Sequence, residues 1–147
     1  MMNLPDPDRQ PQFYDGVAIK RLIAWIADTI LILLISCVVV LFTAFVGLLI
    51  WPILYLTIGF VYRWVTISGN SATWGMSLAG VEIRDNRGER LDASGAFLHT
   101  LGYTVSMAFP VLQVISVALM LMTPRGQGLT DHVMGTVALN RRAQSYR

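Results

Sequence analysis

Residues 22–61, LIAWIADTILILLISCVVVLFTAFVGLLIWPILYLTIGFV, carry one charged side chain, Asp28. As a single helix this stretch would run about 60 Å, twice the roughly 30 Å hydrocarbon core of a bilayer. Two spans of about 18 to 20 residues joined by a tight turn fit the length, and Gly47 and Pro52 mark the break between them. The reading is an N-terminal transmembrane helical hairpin over residues 20–67. Lys20, Arg21 and Trp25 open it and Tyr62, Arg63 and Trp64 close it, as cationic and aromatic interface anchors, while its closed end carries no charge. By the positive-inside rule, the open ends and the N-terminus face the cytoplasm.

Outward from this block the chain becomes polar. Residues 1–19, with Pro5, Pro7, Pro11, Asp6, Asp8 and Arg9, lack apolar periodicity and read as a flexible cytoplasmic tail. Residues 68–95 are rich in glycine and hold Arg84, Arg87 and Arg90, the composition of a cytoplasmic loop. Within it Val81–Arg84 alternates apolar and polar, 85–88 has turn composition, and 89–92 is expected to return, giving a small β-hairpin. A third apolar block, 96–123, contains His99, Gln113 and a central Pro110. It reads either as one tilted span or as a Pro110-broken re-entrant pair. The broken pair is favoured, because it keeps the basic tail of residues 124–147, with Arg125, Arg141, Arg142 and Arg147, inside. On that side Thr136–Leu139 reads as a short strand able to join the hairpin near Val81.

Composition agrees with a single domain, residues 1–147, of all-α integral membrane class. Hydrophobic residues make up 54% and charged residues 14%, against roughly a quarter charged in soluble domains, and the mean hydropathy is +0.56. Disorder and a soluble core are excluded on these numbers. The apolar run continues far past the length of a cleavable signal, so it is read as retained. A net charge of +2 and a pI near 9.0 imply anionic lipid headgroups as partners and no nucleic acid. The sole cysteine, Cys37, can close no internal disulfide and reads as a small buried apolar residue.

Asp28 lies seven residues after Arg21, on the same helix face and about 10 Å deeper along the axis. At the centre of a span an aspartate costs roughly 2.5 to 3.5 kcal/mol, which the flanking Leu, Ile, Val and Phe residues offset at roughly 0.3 to 0.6 kcal/mol each. Asp28 is therefore either a carboxyl that exchanges a proton or cation or polar glue bonded to Thr29, Ser36 or Thr57, with equal weight. His99 and His132 lack ligand spacing and read as solvated or capping residues, so no metal or cofactor is expected. Without a nucleophile triad, paired carboxylates or a nucleotide loop, enzymatic activity is not expected.

The stretch 128–136, GLTDHVMGT, completes a pattern with Lys20, Arg21 and Asp28. Together these resemble the bacterial RDD family, named for one arginine at the start of the first membrane helix and two aspartates. The resemblance covers nearly the whole chain and assigns Arg21, Asp28 and Asp131 as the motif residues for ion or substrate binding. Thr73, Trp74, Gly75 through Leu78, Ala79, Gly80, Val81 is similar to the family's middle motif. Met76, His99 and Thr130 stand where relatives commonly carry Lys, Arg and His. The resemblance implies a multi-pass inner-membrane protein and transport of ions, as cation and proton exchange, or of small solutes, by a homo-oligomer. There Asp28 would be the carrier, Arg21 would bias its charge and Asp131 would help close the cytoplasmic side. The alternative is a non-transporting membrane interaction or assembly module, in which Arg21 pairs with Asp131 and Asp28 bonds a neighbouring helix.

Overall fold

The computed structural model describes residues 4–141. The first long helix, α1 (Val17–Phe42), buries Val17, Ala24, Asp28, Ile32, Ser36 and Val40, a spacing that stacks side chains on one face. Its other faces are apolar and exposed, including Leu22, Ile30, Leu34 and Leu41. At its end Ala44 and Phe45 take positive φ (49° and 67°), and a 3-10 turn at Val46–Leu48 leads into α2 (Trp51–Asn70). Pro52 sits in the first turn of α2, where its missing N–H leaves no bond unmade.

Two short elements fold back against α1 and α2. Helix α3 (Trp74–Ala79) packs on α1, and Gly80, at φ 76°, ends it. Strand β1 (Val81–Arg84) follows directly. The third apolar block is two helices, α4 (Ala93–Ala108) and α5 (Pro110–Met122), bent by 116° at the break. An uninterrupted third span is thereby excluded, because Pro110 cannot donate to the i−4 carbonyl and its ring disfavours helical geometry at Phe109. Helix α6 (Leu129–Met134) and strand β2 (Val137–Asn140) complete the order.

The sheet corrects the expected hairpin. Strand β1 pairs antiparallel with β2, Val81 opposite Asn140 and Arg84 opposite Val137, while the expected return strand makes one isolated bridge, Arg84 to Arg90. Residues 89–92 are otherwise engaged: the Leu91 amide donates to Ser71 Oγ at 2.8 Å, and Asp92 caps α4 by accepting from the Gly95 amide. The fold class is accordingly mostly helical with a two-stranded sheet, rather than all-α. Val17, Ala24, Ile67, Met76, Val81, Ile83, Ala96 and Ala138 form its main buried cluster. Glu82 is buried among Arg84, Arg90 and Arg141, with ion pairs to each.

The N-terminal stretch read as a tail is tied down. Phe13 and Tyr14 are buried against Val137 and Leu139. Asn140 Nδ2 donates to the carbonyls of Gln12 and Asp15, and Lys20 Nζ donates to Asn140 Oδ1 at 2.7 Å. Proline-rich sequence hid two aromatics that a strand 120 residues later needs as cover. The expected cations Arg142 and Arg147 lie outside the described residues. Among the described residues α1, with the turn before it, is the one helix long and apolar enough to cross a membrane, and α4 with α5 qualifies when the bent pair is taken together.

Candidate functional site

Each of the helices α1 to α6 contributes to the wall of one cavity of about 560 Å³, and Arg21, Asp28 and Asp131 all lie on it. The motif residues form two separate nodes there. At the first, Asp28 is 1% exposed because α3 covers it. Gly75 makes that cover possible: a Cβ at this position would stand 2.2 Å from the Ala24 carbonyl oxygen and 2.7 Å from Asp28 Oδ1. The Gly75 amide donates to Asp28 Oδ1 at 2.8 Å and Thr73 Oγ1 donates to Oδ2 at 2.5 Å. Thr73 also caps α3 by accepting from the Met76 amide. From α2, Tyr62 OH donates to Oδ1 at 2.6 Å.

The cation nearest Asp28 is Arg63, whose Nη2 lies 3.8 Å from Oδ2. The sequence places Arg63 at an interface; the structure buries it to 5% exposure, with its guanidinium 3.7 Å from the centroid of the Tyr103 ring. A guanidinium stacks well on an aromatic face, and Tyr103 reaches it from α4. Arg21 does not contact Asp28. Of the expected glue partners, Ser36 and Thr57 donate instead to the Ile32 and Ile53 carbonyls of their own helices, and Thr29 makes no hydrogen bond to Asp28 among the described residues.

The second node is Asp131, also 1% exposed. Arg21 Nη1 donates to its Oδ2 at 2.5 Å, which also accepts from the Gly128 amide at 3.0 Å. Oδ1 meets Thr136 Oγ1 at 2.8 Å and His99 Nε2 at 3.1 Å. Asp131 therefore joins α1, α4, α6 and the entry to β2. Burial alone would push its carboxyl up, but the Arg21 guanidinium and His99 outweigh that and hold it well below the usual carboxylate range. His99 is thus neither solvated nor capping: it is 4% exposed and bonded to a carboxylate. His132 Nδ1 does lie 2.9 Å from the Gly128 carbonyl in its own helix start. Cys37, expected inside, is exposed, because the buried stripe of α1 passes through its neighbour Ser36.

Sequence reasoning missed Arg63, Tyr103, Tyr62 and His99 as members of these nodes. The signal for Arg63 was faint: it falls one residue inside an aromatic cluster, Tyr62 and Trp64, which reads equally well as an interface belt.

The arrangement can fix helices to one another through two buried carboxylates, and it leaves a cavity with cations on its wall. No curated protein and no solved structure matches the chain. The family model described as RDD family matches residues 16–135, which takes in Arg21, Asp28 and Asp131 together with the elements that bury them: the chain belongs to the RDD family.

Proposed function

We propose that this RDD-family chain is an integral protein of the bacterial inner membrane and acts as an interaction or assembly module rather than as an ion carrier. Support for the membrane placement is the apolar surface. Phe42, Leu49, Leu121 and Met122 are each more than 70% exposed, and exposed apolar area on this scale is foreign to soluble monomers. At 1.5 Å per residue, α1 and α2 are about 39 and 30 Å long, whereas α4 and α5, at about 24 and 20 Å, are too short to cross singly. They form a re-entrant pair in this reading. Lys20 bonds Asn140 of β2, and Arg84, Arg90 and Arg141 pair with Glu82 of β1, whereas the 43–50 turn bears no charge, which favours the sheet end, with the N-terminus, in the cytoplasm beside anionic headgroups.

One observation carries the module reading: every oxygen of Asp28 and Asp131 already accepts a hydrogen bond. A carrier must release its ligand's seat on each cycle. Emptying Asp28 of three bonds would forgo roughly 1.5 to 3 kcal/mol for each one to a charged group, so the geometry suits a lock. A second reading, cation and proton exchange or small-solute transport by a homo-oligomer, is favoured by the cavity that all three motif residues line. Proteoliposomes separate the two. The module reading expects no ion-driven proton movement in wild type or Asp28→Asn; flux in wild type that Asp28→Asn abolishes would overturn it in favour of transport.

A further inference from the structure

Arg63 carries more donors than the fold uses. Its guanidinium is buried, stacked on Tyr103 and 3.8 Å from Asp28, beyond hydrogen-bond distance. None of its N–H groups donates a hydrogen bond among the described residues, although a guanidinium has five. Asp28 has no need of it, since Tyr62, Thr73 and Gly75 already supply three donors. Arg21, by contrast, is held in an ion pair with Asp131 through Nη1. A buried cation with unused donors normally costs stability, and this one lies on the cavity wall together with both of its neighbours, Asp28 and Tyr103.

Arg21, His99, Gln113, Ser116 and Asp131 also reach that wall, but most of its open area is apolar. Leu22 of α1, Met107 of α4 and Val117, Met120 and Leu121 of α5 line it, and Leu22, Val117 and Leu121 are exposed. The cavity thus runs from a buried guanidinium to side chains that face hydrocarbon in a bilayer. Its volume, about 560 Å³, falls within the usual range for small-molecule sites.

We propose that the cavity is a binding site for a single-chain amphiphile with an oxyanion headgroup, a carboxylate or a phosphate, which Arg63 receives while the acyl chain lies along α5. Planar, forked donors suit either oxyanion. Tyr62, Thr73 and Gly75 already occupy the Asp28 oxygens, so the Arg63 donors are open to an incoming acceptor. The inference rests on the membrane placement proposed above for its supply of ligand.

Dodecanoate labelled with ¹³C at the carboxyl, added to the purified full-length protein in a non-ionic detergent, tests it. The expected result is a saturable bound resonance distinct from the micellar one. Arg63→Gln weakens it about tenfold or more, the worth of a charged hydrogen bond. Dodecyl phosphate displaces the probe, and its strength relative to unlabelled dodecanoate identifies the preferred headgroup. Dodecanol and inorganic phosphate at the same concentrations do not displace it. Should Arg63→Gln fail to fold, Val117→Trp fills the cavity from exposed α5 with Arg63 intact, and binding is expected to vanish. Unchanged binding in the variant that folds, equal displacement by dodecanol, displacement by inorganic phosphate alone, or no saturable resonance would overturn the proposal. Membrane placement is measured separately, through Cys37, and none of these results would alter it.

Discussion

At the residue scale, the two motif aspartates differ in what surrounds them. Asp131 is paired with Arg21 and His99, and its carboxyl is held below the ordinary value of 3.8. A group whose folded value is depressed contributes stability that is complete above the unfolded value and is lost as pH falls through the folded one. Wild type should therefore lose stability progressively below about pH 3.8, and Asp131→Asn should lose less over that interval while being weaker at neutral pH. Removing one partner of a buried ion pair costs about 3 to 5 kcal/mol. Denaturation midpoints of both proteins between pH 7 and pH 2.5 check this; a difference that does not narrow on acidification would contradict it. Sequence named Arg21, Asp28 and Asp131 but could not say who meets whom. Arg21 and Asp28 share a face of α1, yet Arg21 pairs with Asp131, 110 residues away, and Arg63 is the cation beside Asp28.

At the element scale, the contact between α1 and α3 is the tightest demand the fold makes on a residue type. Gly75 lets the α3 backbone reach Asp28, and an added methyl would lie 2.2 Å from the Ala24 carbonyl. Helix propensity alone would favour alanine by about 0.5 to 1 kcal/mol. Overpacking against backbone costs about 1 to 3 kcal/mol and sometimes more, so the clash wins. Gly75→Ala should lower the unfolding midpoint in detergent, whereas Gly69→Ala, where a Cβ meets nothing within 4 Å, should not. Equal midpoints for the two would show that α3 can lift away without penalty. Such packing is invisible in sequence, where Gly75 is one of several glycines in a polar stretch. The bend at Pro110 was legible, because proline's lost donor acts locally. The partner of β1 was half legible: Val137–Asn140 carries strand character, but only the diversion of residues 89–92 to Ser71 and to the α4 cap leaves β1 free for it.

At the scale of the whole molecule, the exposed apolar surface and the clustered cations bear on where the protein resides. Cys37 offers a natural probe, being the sole cysteine, exposed and inside α1, five residues before its last residue, Phe42. In intact membranes it should resist a charged, membrane-impermeant maleimide and react after solubilisation in SDS. Prompt labelling before solubilisation would place that face of α1 in water and count against the membrane reading.

The sequence by itself determined the helical, apolar character of the chain, the break at Gly47–Pro52 and the family, and favoured the break at Pro110 over an unbroken span, because these rest on composition, local backbone chemistry and motif order. The tertiary structure decided that Asp28 is sealed by α3, that residues 4–16 cover β2, and that Arg63 and His99 lie inside. Each of these depends on contacts between residues far apart in the chain, and burial and pairing energies are set by the neighbours that folding supplies, which spacing along the chain does not encode.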